Sequence, residues 1–179
     1  MHKVIKSETK FKGRVFEACV EDIIQPNGME VNREVVIHKG GCSMIAIKDH
    51  STNNPSIVLV KQYRHAAKDF AIEIPAGILE TGESPAEGAT RELEEETGYK
   101  AIDPKPLFTM YKSIGYSTEK HYLNLCYVEG EPGKQNLDAD EDVEVMLVTV
   151  DEAVKMIFDG RIVDAKTVAG ILAYREMCR

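Results

Sequence analysis

The sequence predicts an α/β fold, a mixed sheet packed between helices, with an antiparallel β element at its N-terminal side. Three observations carry this. Short β-branched runs separated by turn signals recur between residues 13 and 77 and again between 106 and 150. Helical signals come at only three places, 84–97, 151–159 and 164–177. Their order lacks the βαβα rhythm of a doubly wound sheet, and neither GxGxxG nor GxxxxGK followed by Ser or Thr is present, so a dinucleotide-binding or P-loop domain has no support.

Taken in order, residues 13–24 (GRVFEACVEDII) and 30–38 (EVNREVVIH) alternate, and QPNGM between them supplies the Pro, Asn and Gly of a hairpin turn, which predicts an N-terminal antiparallel pair. Three apolar runs follow as sheet strands, at 42–47, 56–63 and 70–77, the first two separated by the polar DHSTNNP. The period then changes. Ser84 is a good N-cap, Pro85 fits the first helical position, Glu87 completes a capping box, and Gly98 stands where a helix ends in a left-handed residue, so a helix spans Ser84 to Thr97. Strands near 106–112, 121–129 and 143–150 and helices at 151–159 and 164–177 complete the chain.

At 179 residues there is enough chain for one main domain with a real core. The 43% hydrophobic and 29% charged content is that of a soluble protein, and no apolar stretch reaches the ~18 residues of a membrane span. The N-terminus has no apolar central region of a secretory signal, so the expected location is cytoplasmic. A net charge of -8 argues against nucleic acid as partner, because a phosphate backbone needs a basic surface. Cys19, Cys42, Cys126 and Cys178 form no CxxC pair and read as reduced thiols, mostly packed inside. The five histidines show no metal-ligand spacing.

The helix carries the chemistry. At about 100° per residue, Glu92, Glu95 and Glu96 fall within one arc while Ala86, Ala89, Leu93 and Thr97 occupy the adjacent one, so one side can be buried with carboxylates beside it. Glu92 and Glu96, four apart, repel unless a cation lies between them, and a hard divalent ion suits carboxylate oxygens. An isolated acidic run is most often a solvated face. Here the surroundings weigh against that: Gly77, Glu83, Arg91-Glu92-Leu93, Glu95-Glu96, Gly98 and bulky Tyr99 stand at fixed spacings that chance would produce in fewer than about one chain in a million.

That spacing matches the Nudix box, and the chain resembles the Nudix hydrolases, with Tyr99 in place of the usual aliphatic residue. The resemblance implies an α/β/α sandwich and Mg²⁺-dependent, or Mn²⁺-dependent, hydrolysis of a nucleoside diphosphate linked to another moiety. It implies Glu92, Glu95 and Glu96 as metal ligands, the carbonyl of Ala76 as a backbone ligand, and Glu83 with Arg91 as braces between loop and helix. Physically, water attack on a pyrophosphate gathers negative charge that clamped metal ions neutralise.

The flanks VKQYRHAAKDFAIEIPAG, NREVVIHKGG and DADEDVEVMLVTVDEA are similar to the ADP-ribose pyrophosphatase branch. That likeness implies Arg33 and Arg64 as substrate contacts, guanidinium being suited to phosphate; Glu73, two residues before Pro75 on a strand leading to the site, is expected as a further one. It places the general base at Glu141, with Asp140 and Asp142 as alternatives. It also implies an N-terminal β element over residues 1–40 that forms a homodimer, ahead of a hydrolase domain over 41–179. Two departures bear on substrate: Ile114 stands where the branch often has proline, and without tryptophan any adenine stacking falls to a residue such as Phe16 or Tyr116. The expected reaction is hydrolysis of ADP-ribose to AMP and ribose 5-phosphate. Another nucleoside diphosphate sugar such as a GDP-sugar, or nucleotide sensing without cleavage, are the alternatives.

Overall fold

A computed structural model describes residues 1–139 and 141–178; Asp140, one of the alternative bases, lies outside them. The chain divides into two compact units, one made of residues 1–40 with 110–121, the other of 41–109 with 122–179.

The first unit contains a three-stranded antiparallel sheet ordered β1-β2-β3, from β1 (Lys3–Lys12), β2 (Phe16–Ile24) and β3 (Glu30–His38). The expected hairpin is β2–β3, closed where the amide of Gln25 donates to the carbonyl of Met29 and Gly28 to Gln25. The strand β1 was not expected. Its register against β2 shifts twice, between Val4 and Lys6 and between Thr9 and Phe11, so the alternation that marks a strand in sequence is broken. Every residue of β1 is exposed. The segment 110–121 joins this unit through Val36, whose amide donates to Tyr116 and whose carbonyl accepts from Thr118.

The second unit is built on a sheet ordered β10-β5-β4-β9-β8, in which β4 spans Gly41–Lys48, β5 Ser56–Arg64, β8 Ile102–Tyr111, β9 Lys120–Val128 and β10 Val143–Thr149. The run 70–77 yields two strands: β6 (Asp69–Glu73) pairs with β5, and β7 (Ala76–Ile78) pairs with β4. Pro75 divides them because it has no amide to continue the ladder, while its carbonyl still accepts from Met44.

The three expected helices are α1 (Pro85–Thr97), α2 (Val150–Phe158) and α3 (Ala165–Met177). In β4 every side chain from Gly41 to Ile47 is buried, and alternate residues serve opposite faces. Cys42, Met44 and Ala46 meet Ala89 and Leu93 of α1 with Val58 and Cys126. Ile45 points the other way, so tight against α3 that a Cβ on Gly170 would stand 2.4 Å from its Cδ1. The sheet thus lies between helices, as an α/β/α sandwich requires. Tyr99 packs in the α1-side core, and its hydroxyl accepts from Lys48 Nζ at 3.2 Å, so the larger side chain finds a polar partner that an aliphatic residue would not need. Cys19, Cys42 and Cys126 are buried free thiols and Cys178 is exposed. No helix among the described residues is long and apolar enough to cross a membrane.

Candidate active site

The site forms where the loop after Pro75 meets α1. The helix starts as its sequence dictates, with Ser84 accepting from the Glu87 amide and Glu87 accepting from the Ser84 amide. Burying Ala89, Leu93 and Thr97 then turns Glu96 inward and leaves Glu92 and Glu95 at the margin, with Glu94 exposed.

Glu96 is almost wholly buried, 2% exposed, and its Oε2 accepts the amide of Ala76 at 3.1 Å. The Glu92 carboxylate lies against the backbone of Gly77. Two carboxylates and the Ala76–Gly77 backbone therefore converge. Burial raises the pKa of Glu96 to about 8 against the opposing effect of the Ala76 amide, with the Glu92 and Glu141 charges adding to the rise. Burial raises Glu92 as well, against the pull of Arg91.

Arg91 does more than brace a loop. Its Nε donates to Glu83 Oε1 at 2.9 Å and Nη2 to Glu83 Oε2 at 3.2 Å, while Nη1 donates to both Glu92 Oε1 at 2.8 Å and Glu95 Oε2 at 2.9 Å. Glu83, whose pKa the hydrogen bond from Arg91 lowers, also accepts the amide of Glu80. One guanidinium thus ties the loop, Glu92 and Glu95 together, and the i,i+4 Arg91–Glu95 spacing permits it. Among the described residues no three His, Cys, Asp or Glu side chains form a ready metal cluster. The donor set nevertheless fits a hard divalent cation: carboxylates of Glu92, Glu95 and Glu96 and the backbone carbonyl of Ala76 are all oxygen donors, and burial drives the Glu92 and Glu96 carboxyls toward protonation in spite of Arg91 and Arg64, a bias that a bound cation would reverse.

A cavity of about 590 Å³ opens along α1, lined in part by Thr90, Arg91, Glu94, Glu95, Lys134 and Asn136. The loop that bounds it is pinned to the helix end: the Gly133 amide donates to Gly98 and the Asn136 amide to Glu95. Farther along this loop Glu141 is exposed, its Oε2 accepting from the Asp138 amide at 3.2 Å.

On β5, Arg64 is half-exposed and forms a bidentate pair with Glu73, Nε to Oε1 at 2.6 Å and Nη2 to Oε2 at 2.9 Å. Its charge and that of Glu96 each favour the other's ionised form, which ties Arg64 electrostatically to the carboxylate cluster. Glu73 is buried, and Lys166 of α3 contacts the same Oε2. Lys166, buried too, also donates to Asp164, the N-cap of α3. Sequence reasoning passed over Lys166 and Asp164. The signal was a lysine in the first turn of a helix, where the macrodipole disfavours a cation unless an acid answers it. Arg33 lies on β3 in the first unit, exposed, with Nη1 donating to the Asn32 carbonyl. Ile114 and Tyr116 of that unit are exposed, and Phe16 packs its ring on Phe11.

The family model of the NUDIX domain matches residues 42–170, and the chain belongs to that family: it is a Nudix hydrolase. Enzymes of this family generally use divalent metal ions. Among its relatives, the ADP-ribose pyrophosphatase of Bacillus subtilis (strain 168) is 40% identical over 94% of this chain and 90% of its own. The methanol dehydrogenase activator of Bacillus methanolicus is 42% identical, with the same coverage of 94% and 90%. The crystal structure of an ADP compounds hydrolase shares the fold at a TM-score of 0.82 and 20% identity, covering 98% of this chain and 93% of that one.

Proposed function

We propose that the protein hydrolyses the pyrophosphate bond of ADP-ribose to AMP and ribose 5-phosphate with Mg²⁺, Mn²⁺ serving in its place, as a cytoplasmic homodimer joined through the N-terminal element of residues 1–40. The observation that carries the chemistry is the convergence of the Glu92 and Glu96 carboxylates on the Ala76–Gly77 backbone. The substrate rests on near full-length similarity to a protein named ADP-ribose pyrophosphatase.

Glu92, Glu95, Glu96 and the carbonyl of Ala76 hold the metal. The bound ion supplies charge neutralisation on the pyrophosphate oxygens and activation of water. Arg91 keeps Glu92 and Glu95 aimed at one place, and Glu83 keeps Arg91 there. Arg64 and Arg33 contact the phosphates, since guanidinium donates to them in a fork. Glu73 enters the substrate subsite through Arg64, which it orients with two hydrogen bonds. Glu141 takes the proton of the attacking water, being exposed on a loop that is fixed to the end of α1 and near enough to affect the charge of Glu92 and Glu96.

A panel of ADP-ribose, other ADP-sugars and GDP-sugars, ranked by kcat/KM with products identified, tests this reading. ADP-ribose should stand among the best and yield AMP. A GDP-sugar preferred over it, or tight binding without product, contradicts it.

A further inference from the structure

We infer that Lys166, seated by Asp164 at the head of α3, is a positioning residue for substrate binding that fixes Arg64 through the shared carboxylate of Glu73. This rests on the reading of Arg64 as a phosphate contact.

The arrangement is a relay of alternating charge. Glu73 receives Arg64 through both oxygens and Lys166 through Oε2. Lys166 reaches on to Asp164 Oδ2 at 3.0 Å, and the same oxygen accepts the Thr167 amide at 3.0 Å and its hydroxyl at 2.6 Å. The Thr167 hydroxyl in turn accepts the amide of Ile74, next to Glu73. The first turn of α3 therefore grips the end of β6 twice, once by Thr167 on the backbone and once by Lys166 on the carboxylate. The Lys166 side chain is 3% exposed and that of Glu73 5%, whereas the Arg64 side chain is 43% exposed. Two of the three members are buried and fixed, and the third reaches solvent with the donors that Glu73 does not use.

A buried lysine in a helix's first turn gains nothing from the macrodipole and carries a desolvation cost, so its place depends on Glu73 and Asp164. Its effect on Arg64 is twofold. It holds Glu73 in the one orientation from which both oxygens meet the guanidinium. It also takes a share of the Glu73 charge, which leaves more of the Arg64 field for an incoming phosphate. Without Lys166, Glu73 gains freedom to turn and the group as a whole becomes more negative, and both changes oppose an anionic substrate.

Lys166→Met, similar in length and without charge, should raise KM for ADP-ribose about 10-fold with kcat within about 3-fold, a split that locates the loss in binding. Lys166→Arg should recover most of it. In an Arg64→Ala background Lys166→Met should add nothing, because the two act in series. Thermal melts verify folding, and if Lys166→Met does not fold, Asp164→Asn, which loosens the seat of Lys166, takes its place with an expected rise of about 3-fold in KM that again vanishes beside Arg64→Ala. An unchanged KM, a loss confined to kcat, or an equal rise in the Arg64→Ala background overturns the inference while the role of Arg64 stands. An Arg64→Ala variant with unaltered KM overturns both.

Discussion

The Glu92 carboxylate fills the space that a side chain on Gly77 would need, since a Cβ there would stand 1.9 Å from Oε1. The obstacle is the end of a flexible side chain, so Gly77→Ala should displace Glu92 rather than unfold the loop. We expect kcat to fall at least about 10-fold with a loss of stability no greater than ~1–3 kcal/mol, the usual range for overpacking. Steady-state kinetics beside urea unfolding separate the two.

Gly98 ends α1 in the left-handed region at φ 73°, and a Cβ on it would meet the Gly133 carbonyl oxygen at 2.3 Å. Here the obstacle is backbone, and it belongs to the loop that leads to Glu141. Gly98→Ala should therefore both destabilise the protein, by at least ~1 kcal/mol, and shift that loop. Activity at a temperature where the variant is fully folded should still be reduced several-fold.

Much of this was legible in the sequence, for a local reason. Ser84, Pro85, Glu87 and Gly98 define α1 by contacts within a few residues of each other, and the spacing of Glu92, Glu95 and Glu96 follows from the helix alone. What escaped is tertiary. β1 hides because two register shifts break its alternation, and the division at Pro75 depends on which strand each half pairs with. The Lys166–Glu73–Arg64 relay joins residues far apart in the chain, so a lysine in the first turn of α3 signals the need for an acid but not that Glu73, 93 residues away, supplies it. The linking of Glu92 to Glu95 by Arg91 likewise appears only once side chains are placed.

The buried Glu96 makes the metal-free protein sensitive to alkali. Its folded pKa, about 8, lies above the ordinary carboxylate value, so its contribution to stability is complete below the unfolded pKa and is lost as pH rises through about 8. With chelator present, Tm should fall by about 5–10 °C from this group as pH goes from 5 to 9. Glu96→Gln, which has no charge to bury, should flatten that trend, and calorimetry at fixed ionic strength reads it.

Acid acts through two other groups. Burial raises the pKa of Glu73, but Arg64 and Lys166 outweigh it, and in Asp164 Lys166 and Thr167 likewise outweigh burial, so both folded values are depressed. Their stabilisation is present above the unfolded pKa and lost as pH falls through the folded one. Lys166→Met should therefore shift the acid-unfolding midpoint to higher pH, which circular dichroism during acid titration would register.

Metal-dependent turnover bears most directly on the role of the carboxylate cluster. Wild type and Glu96→Gln, both stripped with chelator, are to be assayed for AMP release from ADP-ribose as Mg²⁺ is restored. Full recovery in the wild type, with at least about 100-fold lower kcat in Glu96→Gln at saturating Mg²⁺, is the expected result. Equal turnover in the two proteins, or wild-type activity that persists without any divalent ion, would contradict it.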